Sequence, residues 1–175
     1  MSYAMRTLKR RRKENKTDYK LRFSLLKSQV PRIVIRRTNR YFVVQLVETV
    51  ESQDKVVSGV TSKDLLENGW NEKFAGSLKS IPAAYLTGLL MAKKVGKGKF
   101  ILDIGMARHL KGNRIYAVAK GLVDGGLDIN IGKEVFPAEK RLNGEHLKPE
   151  VKTMIMEVKN KLGAKAETKQ KETKK

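Results

Sequence analysis

The sequence predicts an α/β domain built on a mixed sheet, antiparallel in its first half and crossing over through helices in its second. Three observations predict it. Ile33-Val34-Ile35 and Tyr41-Phe42-Val43-Val44 are β-branched and aromatic runs flanking a short polar connection, and a third such run follows at Lys55–Val60. Phe100–Ile104 is instead a continuous apolar run closed by Gly105, the pattern of a buried parallel strand. Helical stretches, Ala83–Val95 and Asn113–Val123, alternate with the later strands.

The chain opens on charge. Residues 1–22 carry nine basic side chains against Glu14 and Asp18. So few large apolar groups cannot offset the entropy of ordering, so Met1–Lys16 is expected to be extended or disordered when free. At Thr17-Asp18 the pattern changes. Either residue suits a helix cap, with Leu21, Leu25, Phe23 and Leu26 at helical spacing behind it. The helix is expected to stop near Ser28, because Pro31 disfavours helical backbone before it.

The hairpin follows. Its turn chemistry is Thr38-Asn39, where Asn tolerates left-handed backbone angles. Arg32, Arg36, Arg37 and Arg40 sit on it, with no acidic residue between Pro31 and Val47. Four guanidinium groups on one ribbon repel one another unless something anionic lies across them, and their planar forks suit phosphate. The plainer alternative is a solvated basic edge strand guarded against aggregation.

A polar turn, Glu51–Asp54, leads into the third strand. Ser62–Leu66 reads as a short helix and Gly69-Trp70 as a turn, with Trp70 plugging the core. Pro82 is placed at the first position of the next helix, which ends with Lys93-Lys94 and Gly96. Gly88 suggests close packing on the sheet. Asn113 is expected to cap the second long helix, which ends at Gly125-Gly126 before a short strand near Leu127–Ile131. Val135–Pro149 reads as loop. The last helix starts at Pro149 and carries the stripe Val151, Met154, Ile155, Val158, Leu162. From Gly163 the chain is lysine-rich and of low complexity. The organisation expected is an arm over 1–16, a globular domain over 17–147, a helix over 148–162 and a disordered tail over 163–175.

Composition narrows the function. The 38 Lys+Arg against 18 Asp+Glu give a formal charge of +20, which points to a polyanion, nucleic acid ahead of membrane. No apolar run approaches the roughly 20 residues that span a bilayer. The basic N-terminus is followed by no apolar segment, and there is no cysteine, so an intracellular protein without disulfides or Cys-based zinc is expected.

Catalytic patterns are weak. Gly96-Lys97-Gly98-Lys99 has the wrong spacing for a phosphate loop. His109 and His146 are far apart among basic residues, where surface or RNA-contacting roles fit better than metal ligation. Asp103 is the best acidic candidate, with Asp124 and Asp128 the only others near in sequence. A metal-dependent nuclease needs such partners; a strand-end carboxylate paired with Arg108 is the plainer account.

Several motifs stand in a characteristic order. They are Arg10-Arg11-Arg12, Lys16-Thr17-Asp18-Tyr19, Leu25-Leu26-Lys27-Ser28, Pro31-Arg32-Ile33-Val34 and Gly69-Trp70, then Pro82–Gly88, Leu102-Asp103-Ile104-Gly105 and Arg141–His146. From about Arg10 to Leu147 the chain resembles the archaeal branch of the large-subunit ribosomal protein family that binds 5S ribosomal RNA, number eighteen in the universal nomenclature. It departs at Asn130-Ile131, where a proline is expected after the short strand. The resemblance implies a three-layer α/β fold with a ribonuclease-H-like sheet, no catalysis, no metal and no cofactor. It implies 5S rRNA, 23S rRNA and neighbouring large-subunit proteins as partners, in the cytoplasmic ribosome rather than in a homo-oligomer. The alternative from a different class is a ribonuclease-H-like metal-dependent nuclease. The expected RNA-binding residues fall in four groups. The arm gives Arg6, Lys9, Arg10, Arg11, Arg12, Lys13 and Lys16. The first helix gives Thr17, Tyr19, Lys20 and Arg22, the hairpin Arg32, Arg36, Arg37, Thr38, Asn39 and Arg40, and the late loop Arg141, Asn143 and His146. Tyr19 or Tyr41 is the expected stacking residue.

Overall fold

The computed structural model describes residues 7–51 and 53–172, with side chains as far as Gly163. Arg6 lies outside the described residues. Five strands form one mixed sheet. β1 (Arg32–Arg37), β2 (Phe42–Val50) and β3 (Gln53–Thr61) make the antiparallel meander, and β4 (Lys99–Asp103) and β5 (Asp128–Ile129) add in parallel, in the order β3-β2-β1-β4-β5. The mixed α/β architecture and its antiparallel first half are as the sequence predicts. The β2–β3 ladder shifts register between Leu46 and Val47, leaving Val57 unopposed.

Strand alternation sorts the side chains between two faces. Ile33 and Ile35 of β1, with Phe42, Val44 and Leu46 of β2, are buried on one face. The helices α3 (Ile81–Val95) and α4 (Arg114–Asp124) cover that face, joined by α6 (Pro149–Glu172) packed against α3. Arg32 and Arg36 point to the other face, where α2 (Tyr19–Lys27) brings Leu21 and Leu25 to a small cleft beside Arg36 and Asp103.

Helix ends follow their caps. Asp18 caps α2 by accepting from the Lys20 and Leu21 N–H groups at 2.9 and 3.2 Å. Ser80 caps α3, so that helix starts at Ile81 and Pro82 takes the second position rather than the first. Gly96 closes α3 at φ +83°. Gly88 meets α4 and not the sheet. A Cβ on it would land on the Val118 carbonyl, and one on Gly121 would land on the Tyr85 carbonyl, so the two helix backbones touch at this crossing.

Three local expectations change. The arm is not wholly extended, since α1 (Arg10–Lys13) is one helical turn. The loop 135–149 contains another, α5 (Glu139–Leu142). The last helix runs on to Glu172 instead of stopping near 162. Ala164-Lys165-Ala166-Glu167 are strong helix formers, and one glycine inside a helix costs only about 1 kcal/mol. The stripe is buried as its spacing requires: Met154, Ile155, Val158 and Leu162 all join the core. Trp70 is buried too, its indole N–H donating to the Phe74 carbonyl at 3.2 Å.

Candidate nucleic-acid interface

For two of the four hairpin arginines, Arg32 and Arg36, the anion that lies across them belongs to the chain itself. Arg32 is only 3% exposed. Its guanidinium donates to Asp103 Oδ2 at 3.1 Å, to Thr49 Oγ1 at 3.1 Å and to Asp54 Oδ1 at 2.8 Å. Arg36 donates to Asp103 Oδ1 at 2.9 Å and to the Asp103 carbonyl at 2.8 Å, while Arg22 holds the other Asp54 oxygen at 2.7 Å. Five charges therefore alternate, Arg22, Asp54, Arg32, Asp103 and Arg36, tying α2 to the end of the sheet. Burial pushes the Asp54 carboxyl up. Hydrogen bonds from Arg22 and Thr49, with the charges of Arg32 and Arg22, outweigh that and hold it below its ordinary value.

This network corrects the expected RNA-binding set. Arg32 is buried and its donors are occupied, so it supports the fold and presents nothing to an external partner. Arg22 is engaged with Asp54. Asp103 pairs with Arg32 and Arg36, not with Arg108. In the turn, the Thr38 hydroxyl donates to the Tyr41 carbonyl at 2.7 Å and accepts from the Tyr41 N–H at 3.0 Å. Thr38 thus closes the hairpin and points inward. Asn39 is not left-handed, since the positive-φ residues other than glycine are Asn15, Gln29 and Glu51.

Two surfaces carry clusters of exposed cations from the expected set. Along the arm, Arg12 and Lys13 are exposed on α1, while Arg11 donates to Thr17 Oγ1 at 2.8 Å and Lys16 pairs with Glu14 at 2.8 Å. Lys9 covers the Tyr19 ring at 4.6 Å, and Lys63 covers the Tyr41 ring at 4.8 Å, so one face of each expected stacking residue is occupied. Lys20 is exposed at the start of α2.

The second surface is the end of the sheet where β1 and β4 terminate. Arg37 and Arg40 are exposed there, and neither side chain is engaged among the described residues. Beside them a cleft of about 700 Å³ opens between β1, the 104–112 loop and the start of α4. Lys16, Arg36, Arg37, Arg108 and Lys111 line it. Arg108 and Lys111 are missing from the expected set. The available signal was their position in the loop joining a parallel strand to a helix, where open α/β sheets place their ligands.

The late loop is apart from this end. Arg141 and His146 are exposed, whereas Asn143 is half-buried and accepts from Lys159 at 3.3 Å. His109 is turned to the Tyr116 hydroxyl at 2.9 Å. The three carboxylates do not converge. Asp128 opposes Lys99, at the far end of β4 from Asp103. Asp124 is taken by Lys120 at 2.8 Å and the Tyr85 hydroxyl at 3.0 Å. Burial, then the charge and hydrogen bond of Asp124 and the charge of Glu139, push the Tyr85 phenol up and keep it a neutral donor. Among the described residues no group of three or more His, Cys, Asp or Glu is placed to hold a metal.

A mixed-sheet α/β domain with a formal charge of +20, and with exposed cations along its arm and around a cleft at one sheet end, has the charge pattern of a polyanion-binding module. Residues 4–98 match the family of ribosomal large subunit proteins 60S L5 and 50S L18. The chain is 48% identical over 141 residues to large ribosomal subunit protein uL18 of Korarchaeum cryptofilum, covering 79% of this chain and 70% of the relative. It is 46% identical over 141 residues to the uL18 of Methanoregula boonei, covering 79% of each. Against the uL18 of Picrophilus torridus it is 42% identical over 159 residues, or 88% of this chain and 95% of the relative. The chain belongs to this family of large ribosomal subunit proteins, as its motifs suggest.

Proposed function

We propose that this chain binds 5S rRNA and attaches it to 23S rRNA within the large subunit, beside neighbouring ribosomal proteins, as a structural constituent of the cytoplasmic ribosome. One observation carries the reading. Five basic side chains converge on a single cleft at the sheet end, and the nearby carboxylate, Asp103, is already engaged by Arg32 and Arg36. Lys16 and Lys111 have exposed glutamate partners, Glu14 and Glu134, while Arg37 and Arg108 have no acidic partner among the described residues. This end therefore stays net positive and merges with the charge of the arm through Lys16. Residues 1–16 act as a separate RNA-binding segment in this reading, and Arg37, Arg40, Arg108 and Lys111 as its counterpart on the domain. Nuclease chemistry gains no support from Asp103, whose oxygens accept from two guanidinium groups.

Removing residues 1–16 tests it. The truncated domain is expected to keep its melting temperature and to bind 5S rRNA more weakly. For every phosphate the arm no longer neutralises, the plot of log affinity against log salt is expected to flatten by roughly 0.7–0.9. An unchanged slope would take the arm off the RNA.

A further inference from the structure

We infer that the cleft at the end of β1 and β4 is a receptor for one unpaired, unstacked nucleotide of the bound RNA; this rests on the RNA-binding reading above and adds which part of the RNA enters. A surface that only neutralises phosphates needs no apolar walls. Here Met106 and Leu110 stand at the cleft 55% and 58% exposed, over a floor backed by the buried Ile35, Ile104 and Ile115. Apolar side chains set among cations suit a ligand that is flat and apolar in one part and anionic in another. A nucleotide whose base has left the stack has that character. A duplex does not, because its bases are covered by their neighbours and its outer surface is sugar and phosphate.

Arg36 strengthens the assignment. Its guanidinium gives two hydrogen bonds from Nη1, to the Ile35 and Asp103 carbonyls, and one from Nη2 to the Asp103 carboxylate. It also lies against Gly105, where a Cβ would come within 3.0 Å of Cζ and where φ is +61°. With these donors engaged and its plane fixed, the half-exposed group offers its π face. A guanidinium face held rigid is a platform on which a base stacks. Arg37 and Arg108, lining the same cleft, are placed for the phosphates on either side of that base. Lys111 is paired with Glu134 at 3.3 Å in an exposed ion pair, weak enough for a phosphate to displace.

The experiment uses the full chain with isotope-labelled isoleucine methyl groups and backbone amides and two probes, a mixed-sequence single-stranded RNA of about ten nucleotides and a blunt duplex of the same length. The single strand is expected to shift the Ile35, Ile104 and Ile115 methyl resonances, whereas the duplex shifts backbone signals of the arm and leaves those methyls in place. Met106→Gln with Leu110→Gln keeps the net charge and alters only exposed side chains. This pair is expected to weaken single-strand binding roughly tenfold while duplex binding stays within about twofold. Duplex and single strand binding with the three methyls unmoved would overturn the nucleotide receptor alone. Neither RNA binding at low salt would overturn the RNA reading beneath it.

Discussion

Arg32 and Asp103 are 71 positions apart in sequence and meet at 3.1 Å, a guanidinium from the start of β1 and a carboxylate from the end of β4. Both are buried. The same carboxylate orients Arg36, so one acidic side chain joins the stability of the sheet to the geometry of its basic end. Asp103→Asn therefore separates two accounts of RNA binding. The substitution raises the net charge by one, and a simple positive field would bind RNA more tightly. If Asp103 positions Arg36, affinity for 5S rRNA falls despite the added charge. Stability is expected to fall by about 3 kcal/mol or more, because removing one partner leaves buried charge uncompensated. Urea unfolding and a binding titration, read on the same variant, check both parts.

What was legible in the sequence follows from how far each determinant reaches. The two hairpin strands, a helix start at Thr17-Asp18 and the Val151–Leu162 stripe rest on periodicities and caps within a few residues, and they stand, with Asp18 the residue that caps. Arg32 was misplaced because its burial depends on Asp103, Asp54 and Thr49, which only the assembled sheet brings together. Its companions Arg37 and Arg40 look the same in sequence but lie beyond the reach of those carboxylates. The cleft was invisible for a related reason: its walls come from β1, the 104–112 loop and Lys16 at once. Gly88 announced a close approach, but one glycine does not say whether a strand or a helix is what approaches.

That approach gives the second prediction. Alanine is the better helix former by about 1 kcal/mol, so Gly121→Ala would stabilise α4 in isolation. In the folded chain the new methyl meets the Tyr85 carbonyl, which is backbone inside α3 and has no rotamer to escape through. Overpacking is expected to win, with a net loss on the order of 2 kcal/mol. Gly163→Ala, with open space around the Cβ, is the control and is expected to leave the urea midpoint unchanged or raise it. A stable Gly121→Ala protein would show that the helix crossing is looser than described.

Asp54 sets an acid limb to stability. Burial raises its carboxyl, but Arg22, Thr49 and Arg32 prevail, and the net shift is downward from 3.8. A carboxyl depressed in the folded state stays charged to lower pH than in the unfolded chain. Its contribution is thus complete above 3.8 and is lost as pH falls below that value. The side chain is about a third exposed, so solvent screens part of the effect. Asp54→Asn is expected to lower stability near neutral pH and to unfold with a flatter pH dependence in acid. Urea midpoints taken from about pH 5 to about pH 2.5 test the slope. Parallel curves for the two proteins would remove Asp54 from the acid limb.

The hairpin arginines allow position to be separated from charge, provided the right pair is chosen. Arg36 is unsuitable, because its bonds to Asp103 make any weakening of RNA binding ambiguous with a change of structure. Arg37 and Arg40 are exposed and bind nothing among the described residues, so replacing both with lysine keeps the charge at +20 and leaves the fold alone. Lysine supplies the same field as a compact ammonium group and cannot match a phosphate with two parallel donors. If the hairpin only contributes field, affinity for 5S rRNA is unaffected. If it grips phosphates or base edges in pairs, each bidentate grip that lysine fails to reproduce costs about 1–3 kcal/mol. The second outcome is expected, with an unchanged melting curve, and with the affinity for an unrelated RNA of equal length falling much less. Thr38 makes the geometry possible, since its hydroxyl locks the turn that carries both arginines. Equal small decreases on the two RNAs would leave the hairpin as a source of charge and move recognition to the arm or to Arg108 and Lys111.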